Sequence, residues 1–106
     1  MTDPQLKRGM LDTCVLAALA GEDSYGYKII RDLSECVAIS ESTLYPILKR
    51  LESNGSLRVY SVEHNGRLRK FYHLTDAGRA KIPEFLEDFG EILKIHNFIV
   101  KRWNHE

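Results

Sequence analysis

A chain of 106 residues, 43% of them hydrophobic, can bury one core and has little room for a second, so one compact unit is expected. Fifteen basic residues balance fifteen acidic ones, which excludes a global field as the means of finding a partner and makes the regional charge the informative quantity. Residues 42–73 hold Lys49, Arg50, Arg58, Arg67, Arg69 and Lys70 against only Glu52 and Glu63, whereas the segments on either side are net acidic. Cys14 and Cys36 form no Cys-x-x-Cys pair and are expected to be small buried hydrophobes in a reducing compartment. The start of the chain carries no apolar run of signal-peptide length, and no stretch approaches the ~20 apolar residues of a membrane span. A soluble cytoplasmic protein is the expectation.

In chain order, Leu6, Met10, Leu11, Cys14, Val15, Ala18 and Leu19 recur at helical spacing and predict a core helix that closes near Gly21. Ser24 is a candidate N-cap for a second helix running from Tyr25 toward Cys36, with Gly26 in its first turn, where another helix could approach closely. Val37, Ala38 and Ile39 connect to Ser40, whose hydroxyl can cap the amides of Ser42 or Thr43. In the third helix Leu44, Ile47, Leu48 and Leu51 fall at i, i+3, i+4 and i+7, giving one narrow apolar side. The rest of its surface holds Ser42, Thr43, Tyr45, Lys49 and Arg50 and is rich in hydroxyl and cationic groups. Pro46 removes one backbone bond, which predicts a distorted first turn, and Asn54-Gly55 supplies the stop.

Beyond Gly55 the period changes to two. Asn65-Gly66 is a strong hairpin signal, because a type I′ turn needs positive φ at both positions. A two-residue loop there pairs Leu57 with Leu74, Val59 with Tyr72 and Tyr60 with Phe71, and crowds Arg67, Arg69 and Lys70 toward the tip. Thr75 then caps a last helix, with Asp76 near the positive end of its dipole. Ile82, Phe85, Phe89, Ile92, His96, Ile99 and Trp103 advance along it in alternating steps of three and four, and Leu86, Leu93 and Val100 add a second line. Pro83 predicts a bend or a restart near Ile82.

Three helices followed by a hairpin, with cationic residues on the third helix and the hairpin tip, make the plan of a winged helix-turn-helix: mainly α with a β-hairpin wing, an α+β chain. The expected division is a DNA-binding unit over residues 1–74 and a C-terminal dimerisation helix over residues 75–106, packed as one body. Candidate contacts to double-stranded DNA are Ser42, Thr43, Tyr45, Lys49, Arg50, Arg67, Arg69 and Lys70, with cations for phosphates and hydroxyls for phosphate oxygens or base edges. The last helix exposes more apolar surface than so small a core needs, so a second copy of the chain is its expected partner. The seam is Ile82, Phe85, Leu86, Phe89, Ile92, Leu93, His96, Ile99 and Trp103, with His96 a register-fixing residue. His64 and His73 lie on the wing, where exposed neutral roles are expected, and His105 is terminal and expected to be mobile.

Two other classes remain open: a winged-helix module for protein interaction, and a thiol or metal sensor built on Cys14, Cys36 and His96. No spacing of nucleophile, base and acid, no phosphate loop and no paired carboxylate points to an enzyme, and no cofactor, catalytic residue or metal site is expected.

The segments Ser24-Tyr25-Gly26-Tyr27, Ser42-Thr43-Leu44-Tyr45-Pro46-Ile47-Leu48 with Leu51-Glu52 and Gly55, and Phe71-Tyr72-His73-Leu74-Thr75-Asp76-Ala77-Gly78 resemble the PadR-type transcriptional regulators. The resemblance implies a homodimeric winged-helix repressor that binds a palindromic operator and is released by a ligand or another signal. It makes Pro46 a trait of the recognition helix. Only enough chain for one helix follows Gly78, as in the short members of the family, and the Asn65-Gly66 wing is tighter than many. In those short members aromatic residues of the last helix face a space at the dimer centre and stack on flat ligands. Phe85, Phe89 and His96 here either line such a pocket for a small aromatic ligand or simply pack the interface.

Overall fold

The computed structural model describes residues 4–104, so His105 lies outside the described residues. Its order is α1 (Pro4–Ala18), α2 (Gly26–Leu33), α3 (Glu41–Ser53), β1 (Leu57–His64), β2 (Arg67–Leu74) and α4 (Asp76–Trp103). This is the expected α+β winged helix with a C-terminal helix.

Periodicity in the sequence becomes the core directly. Val15, Leu16 and Leu19 of α1, Ile29 and Leu33 of α2, and Leu44, Ile47, Leu48 and Leu51 of α3 close on Leu57, Tyr72 and Leu74 of the hairpin. Each such side chain taken fully out of water contributes about 1.5–3 kcal/mol before conformational entropy is charged against it. In α3 the four apolar positions are all buried and their spacing turns the remaining positions outward. Pro46 does not break the helix. It is exposed, and the Ser42 carbonyl it cannot serve lies in an exposed turn.

Three local expectations are corrected. Ser24 does not cap α2: Tyr25 occupies that position, and no side chain caps the helix. Ser24 instead exchanges both backbone hydrogen bonds with Tyr72, at 3.2 and 2.8 Å, so its segment lies along β2 like a third strand. Ser40 does precede α3, but its hydroxyl meets those of Ser42 at 2.8 Å and Thr43 at 3.4 Å, while its carbonyl accepts the first helical bonds. α2 ends at Leu33, which leaves Cys36 exposed in the following turn and Cys14 half-buried on α1, so neither is a fully buried hydrophobe.

The hairpin has the expected register, with Leu57 opposite Leu74, Val59 opposite Tyr72 and Tyr60 opposite Phe71. Asn65 and Gly66 have φ of 52° and 77°, as a type I′ turn demands. Gly55, at φ 82°, ends α3: its amide bonds the Glu52 carbonyl and the Ser56 amide bonds that of Leu51, the paired closure of a Schellman motif.

Ser56 is fully buried where α3, β1 and α4 meet. Its carbonyl accepts from the Thr75 amide at 3.1 Å and the Thr75 hydroxyl at 2.9 Å, and the same hydroxyl accepts from the Gly78 amide at 3.1 Å as the N-cap of α4. α4 then runs unbroken through Pro83, so no restart occurs at Ile82. Phe85 lies against Gly9 of α1, and Ile82 packs on the core.

Gly78 has no room for a side chain. A β-carbon there would penetrate the Ser56 carbonyl oxygen and stand 2.8 Å from Leu74 Cδ1. Gly78→Ala is expected to cost about 1–3 kcal/mol through forced displacement of backbone, read as a lower midpoint in urea unfolding.

Candidate nucleic-acid interface

The outward side of α3 presents Ser42, Thr43, Tyr45 and Lys49, all exposed. Tyr45 is placed by α2. A β-carbon on Gly26 would stand 2.8 Å from the Tyr45 hydroxyl oxygen, so the close approach expected at that glycine is made by a tyrosine of α3. Across from it stands the wing. Tyr45 and the start of α2 form one wall, and Arg67, Arg69 and Lys70 of β2 form the other, of an open cleft of about 800 Å³. Cations and hydroxyls that are distant in sequence thus face a common space.

Arg50 is the exception among the candidate contacts. It is half-buried and its guanidinium forms an ion pair with Asp12 of α1, with Nε buried and unpartnered. The structure thus turns Arg50 toward α1, where its pair with Asp12 braces the two helices.

Arg69 is held from below. Its guanidinium carbon lies 4.3 Å from the centre of the Tyr25 ring, which packs on Phe71 at 5.4 Å, which in turn stacks on Tyr60 at 5.8 Å. A cation fixed over an aromatic face keeps its charge and loses rotamer freedom before any ligand arrives. Arg67 and Lys70 are exposed at the tip.

Asp23, to which the sequence assigned no role, closes the same face. It accepts from the Tyr60 hydroxyl at 2.6 Å and stands 2.8 Å from His73 Nδ1. The Tyr60 bond first, and that of His73 second, hold the Asp23 carboxyl below the ordinary aspartate range, and the Tyr60 hydroxyl is pushed up by the bond it makes. His73 is thus a half-buried residue at the base of the wing, held beside a carboxylate rather than standing exposed. The signal for Asp23 and Tyr25 was invisible in periodicity, because it depends on the 23–25 segment lying beside β2.

The thiol and metal candidates separate. Cys14 lies half-buried on α1 and Cys36 is exposed in the turn after α2. His96 lies on an exposed part of α4, where it bonds Asn97 at 3.2 Å. No group of three His, Cys, Asp or Glu suited to a metal ion occurs among the described residues. Along the seam, Ile82, Phe85 and Phe89 are half-buried and Phe85 stacks on Phe89 at 5.8 Å. Leu86, Ile92, Leu93, Ile99, Val100 and Trp103 are exposed in the single protomer, Trp103 by 77%. Among the described residues no helix is long and apolar enough to cross a membrane.

A core of three helices, a hairpin against the third, and a cleft between hairpin tip and third helix define a winged helix-turn-helix protein. The profile of the Transcriptional regulator PadR-like family matches residues 15–84, and the chain belongs to that family. It is 33% identical over 81 residues to the transcriptional regulator Rv3488 of Mycobacterium tuberculosis, covering 76% of each chain. Its fold superposes on the crystal structure of smu.1704 from Streptococcus mutans with a TM-score of 0.80, at 39% identity and with 95% and 94% of the two chains covered. Bacillus subtilis PadR, solved in complex with operator DNA, matches with a TM-score of 0.66 at 25% identity, over 72% of this chain and 46% of that one.

The Asp23 cluster generates a pH-dependent expectation. A carboxyl whose pKa is depressed in the folded state adds stability that is fully present above the ordinary aspartate value of about 3.9 and is lost as pH falls through the lower folded value. Asp23→Ala is therefore expected to lower the urea midpoint at pH 7, with the gap from the native protein narrowing below pH ~4.

Proposed function

We propose that this PadR-family chain is a cytoplasmic transcriptional repressor that binds a palindromic operator as a homodimer. The carrying observation is the shared cleft: Tyr45 from α3 and Arg67, Arg69 and Lys70 from the wing face the same open space. α3 enters the major groove with Ser42, Thr43, Tyr45 and Lys49 outward, and the wing's cations meet the neighbouring phosphates. The operator complex of Bacillus subtilis PadR supports the same use of the fold here.

Dimerisation rests on α4. At 28 residues it is about 42 Å long, and from Leu86 onward it leaves a stripe of Leu86, Leu93, Ile99, Val100 and Trp103 in water. Contiguous apolar surface of that kind is rare on a soluble monomer. A second α4 covers it with the same residues, since a two-fold interface uses one patch twice. Residues 75–106 thus serve as the dimerisation element beside a DNA-binding unit of residues 1–74. Two recognition helices then read two half-sites, where one alone would bind weakly at physiological salt.

In the combined change Tyr45→Ala with Lys49→Ala, affinity for the chain's own upstream DNA is expected to fall about tenfold or more, with a shallower salt slope and an unchanged sedimentation coefficient. Wild-type affinity across a salt titration would remove α3 from the interface. Indifference of the native protein to DNA at low salt would replace this reading with a protein-interaction module.

The effector in this proposal is a small flat aromatic molecule stacking at the dimer centre on Phe89, with Phe85 and His96 beside it. The parallel Phe85 and Phe89 rings, inclined by only 14°, support it. A flat aromatic cation is expected to quench Trp103, the chain's single tryptophan, in the native dimer and not in Phe89→Ala, as read by fluorescence titration.

A further inference from the structure

Three consecutive residues between α1 and α2 lie along the wing, and each grips a different part of it. Asp23 accepts from the Tyr60 hydroxyl of β1 at 2.6 Å and stands 2.8 Å from His73 Nδ1 of β2. Ser24 exchanges both backbone bonds with Tyr72. Tyr25 sets its ring 5.4 Å from that of Phe71, tilted by 60°, and carries the Arg69 guanidinium carbon 4.3 Å from its centre. Little freedom is left to Tyr25, because its backbone follows the Ser24 ladder and it is half-buried beside Phe71. A charge resting on that ring is tied to the body of the protein as well as to the strand that bears it.

Of the three wing cations that face the cleft, Arg69 alone is held in this way. It is half-buried, whereas Arg67 and Lys70 are exposed and make no ion pair or ring contact among the described residues. The difference matters for an anion. A free long side chain follows a phosphate wherever it lies and loses its rotamer freedom on contact, so it adds attraction and little geometry. A guanidinium seated over a ring has lost that freedom already. It also keeps its N–H groups for a phosphate, because cation–π attraction uses no hydrogen bond.

We propose that Tyr25 is a positioning residue that presets Arg69 for one phosphate of the DNA, and that this contact fixes the register of the wing while Arg67 and Lys70 add only charge. Phosphate contacts carry no base sequence, but one made by a fixed donor decides where along the duplex the rest of the protein sits. The Asp23–Ser24–Tyr25 segment is then the splint that holds the wing and its cation at a set distance from α3 across the cleft. The contact to DNA rests on the function proposed above; the fixing of Arg69 in the free protein does not.

The test uses the full chain and a duplex of its own upstream DNA in which one phosphate at a time is replaced by neutral methylphosphonate. Expected is one position per half-site where the replacement costs the native protein about threefold or more in affinity and costs Arg69→Ala nothing. Arg69→Ala also lowers the salt slope by about one per protomer, since one phosphate contact is gone. Tyr25→Leu weakens binding about threefold or more with the slope retained, and Tyr25→Phe, which keeps the ring, restores native affinity. Arg69→Lys, which leaves the core untouched, keeps the slope and binds more weakly. The proposal is overturned by a sensitive phosphate that stays equally sensitive in Arg69→Ala, by native affinity in Tyr25→Leu, or by a Tyr25→Phe as weak as Tyr25→Leu. Should Tyr25→Leu fail to fold, native affinity in Arg69→Lys overturns it instead. Should the native protein itself ignore DNA, the repressor reading fails and the phosphate contact with it. Nitrogen NMR relaxation at Arg69 Nε in the free chain, ordered in the native protein and mobile in Tyr25→Leu, then decides alone whether Tyr25 fixes Arg69.

Discussion

The carbonyl of Ser56 is the constraint on which the rest of the molecule depends. It lies in the buried seam where α3 has just ended, β1 begins and α4 starts, and it takes two hydrogen bonds from Thr75 while Gly78 passes too close to bear a side chain. The rest of Ser56 is equally engaged. Its amide and hydroxyl donate to Asn54 Oδ1 at 3.1 and 2.6 Å, and its hydroxyl accepts from Lys81 at 2.6 Å. A buried polar knot is stabilising only when every member is partnered, and here each is. Because the knot joins the C-terminal end of α3 to the N-terminal end of α4, the helix with the outward hydroxyls and cations and the helix with the outward apolar stripe share one anchor.

Where sequence and structure agree, the signal is local or strictly periodic. The pairing of Leu57 with Leu74 follows from Asn65-Gly66 alone, because a two-residue turn leaves one register. The inner side of α3 follows from four leucine and isoleucine positions, and the cap of α4 from Thr75. Where they part, the deciding contact is distant in the chain. Ser24 carries a cap residue's chemistry, but Tyr72 offers its segment a strand ladder, and two backbone bonds outweigh one side-chain cap. Arg50 reads as an outward cation until Asp12, thirty-eight positions earlier, takes its guanidinium. Asp23 has no meaning until the hairpin brings Tyr60 and His73 to it.

α4 shows a different limit. Its apolar spacing is uniform from Ile82 to Trp103, yet the fold treats the two halves differently. Ile82 and Phe85 are half-covered by this chain's own core and α1, whereas Leu93 and Ile99 are exposed. Periodicity reports that a surface is apolar and is silent on whether the chain covers it itself. Contact with α1, which meets Phe85 at Gly9, separates the two cases.

These attachments leave α3 unevenly held. Its C-terminal half is fastened twice, by the Ser56 junction and by the Arg50–Asp12 pair to α1, and α1 is itself packed on α4 through Gly9 and Phe85. Its N-terminal half has Tyr45 resting on Gly26 and a Ser40 hydroxyl that makes no cap. A cap of that kind is worth about 1 kcal/mol, so its absence leaves the first turn of α3 less secured than the end of the helix. Ser42 and Thr43 sit on that turn, while Lys49 lies beyond it, next to the fastened Arg50. A disturbance of the α2–α3 turn therefore acts on the hydroxyl-bearing end of the helix and leaves the end that carries Lys49 in place. Under the proposed use of α3, discrimination among DNA sequences is thereby more exposed to conformational change than is general affinity for DNA.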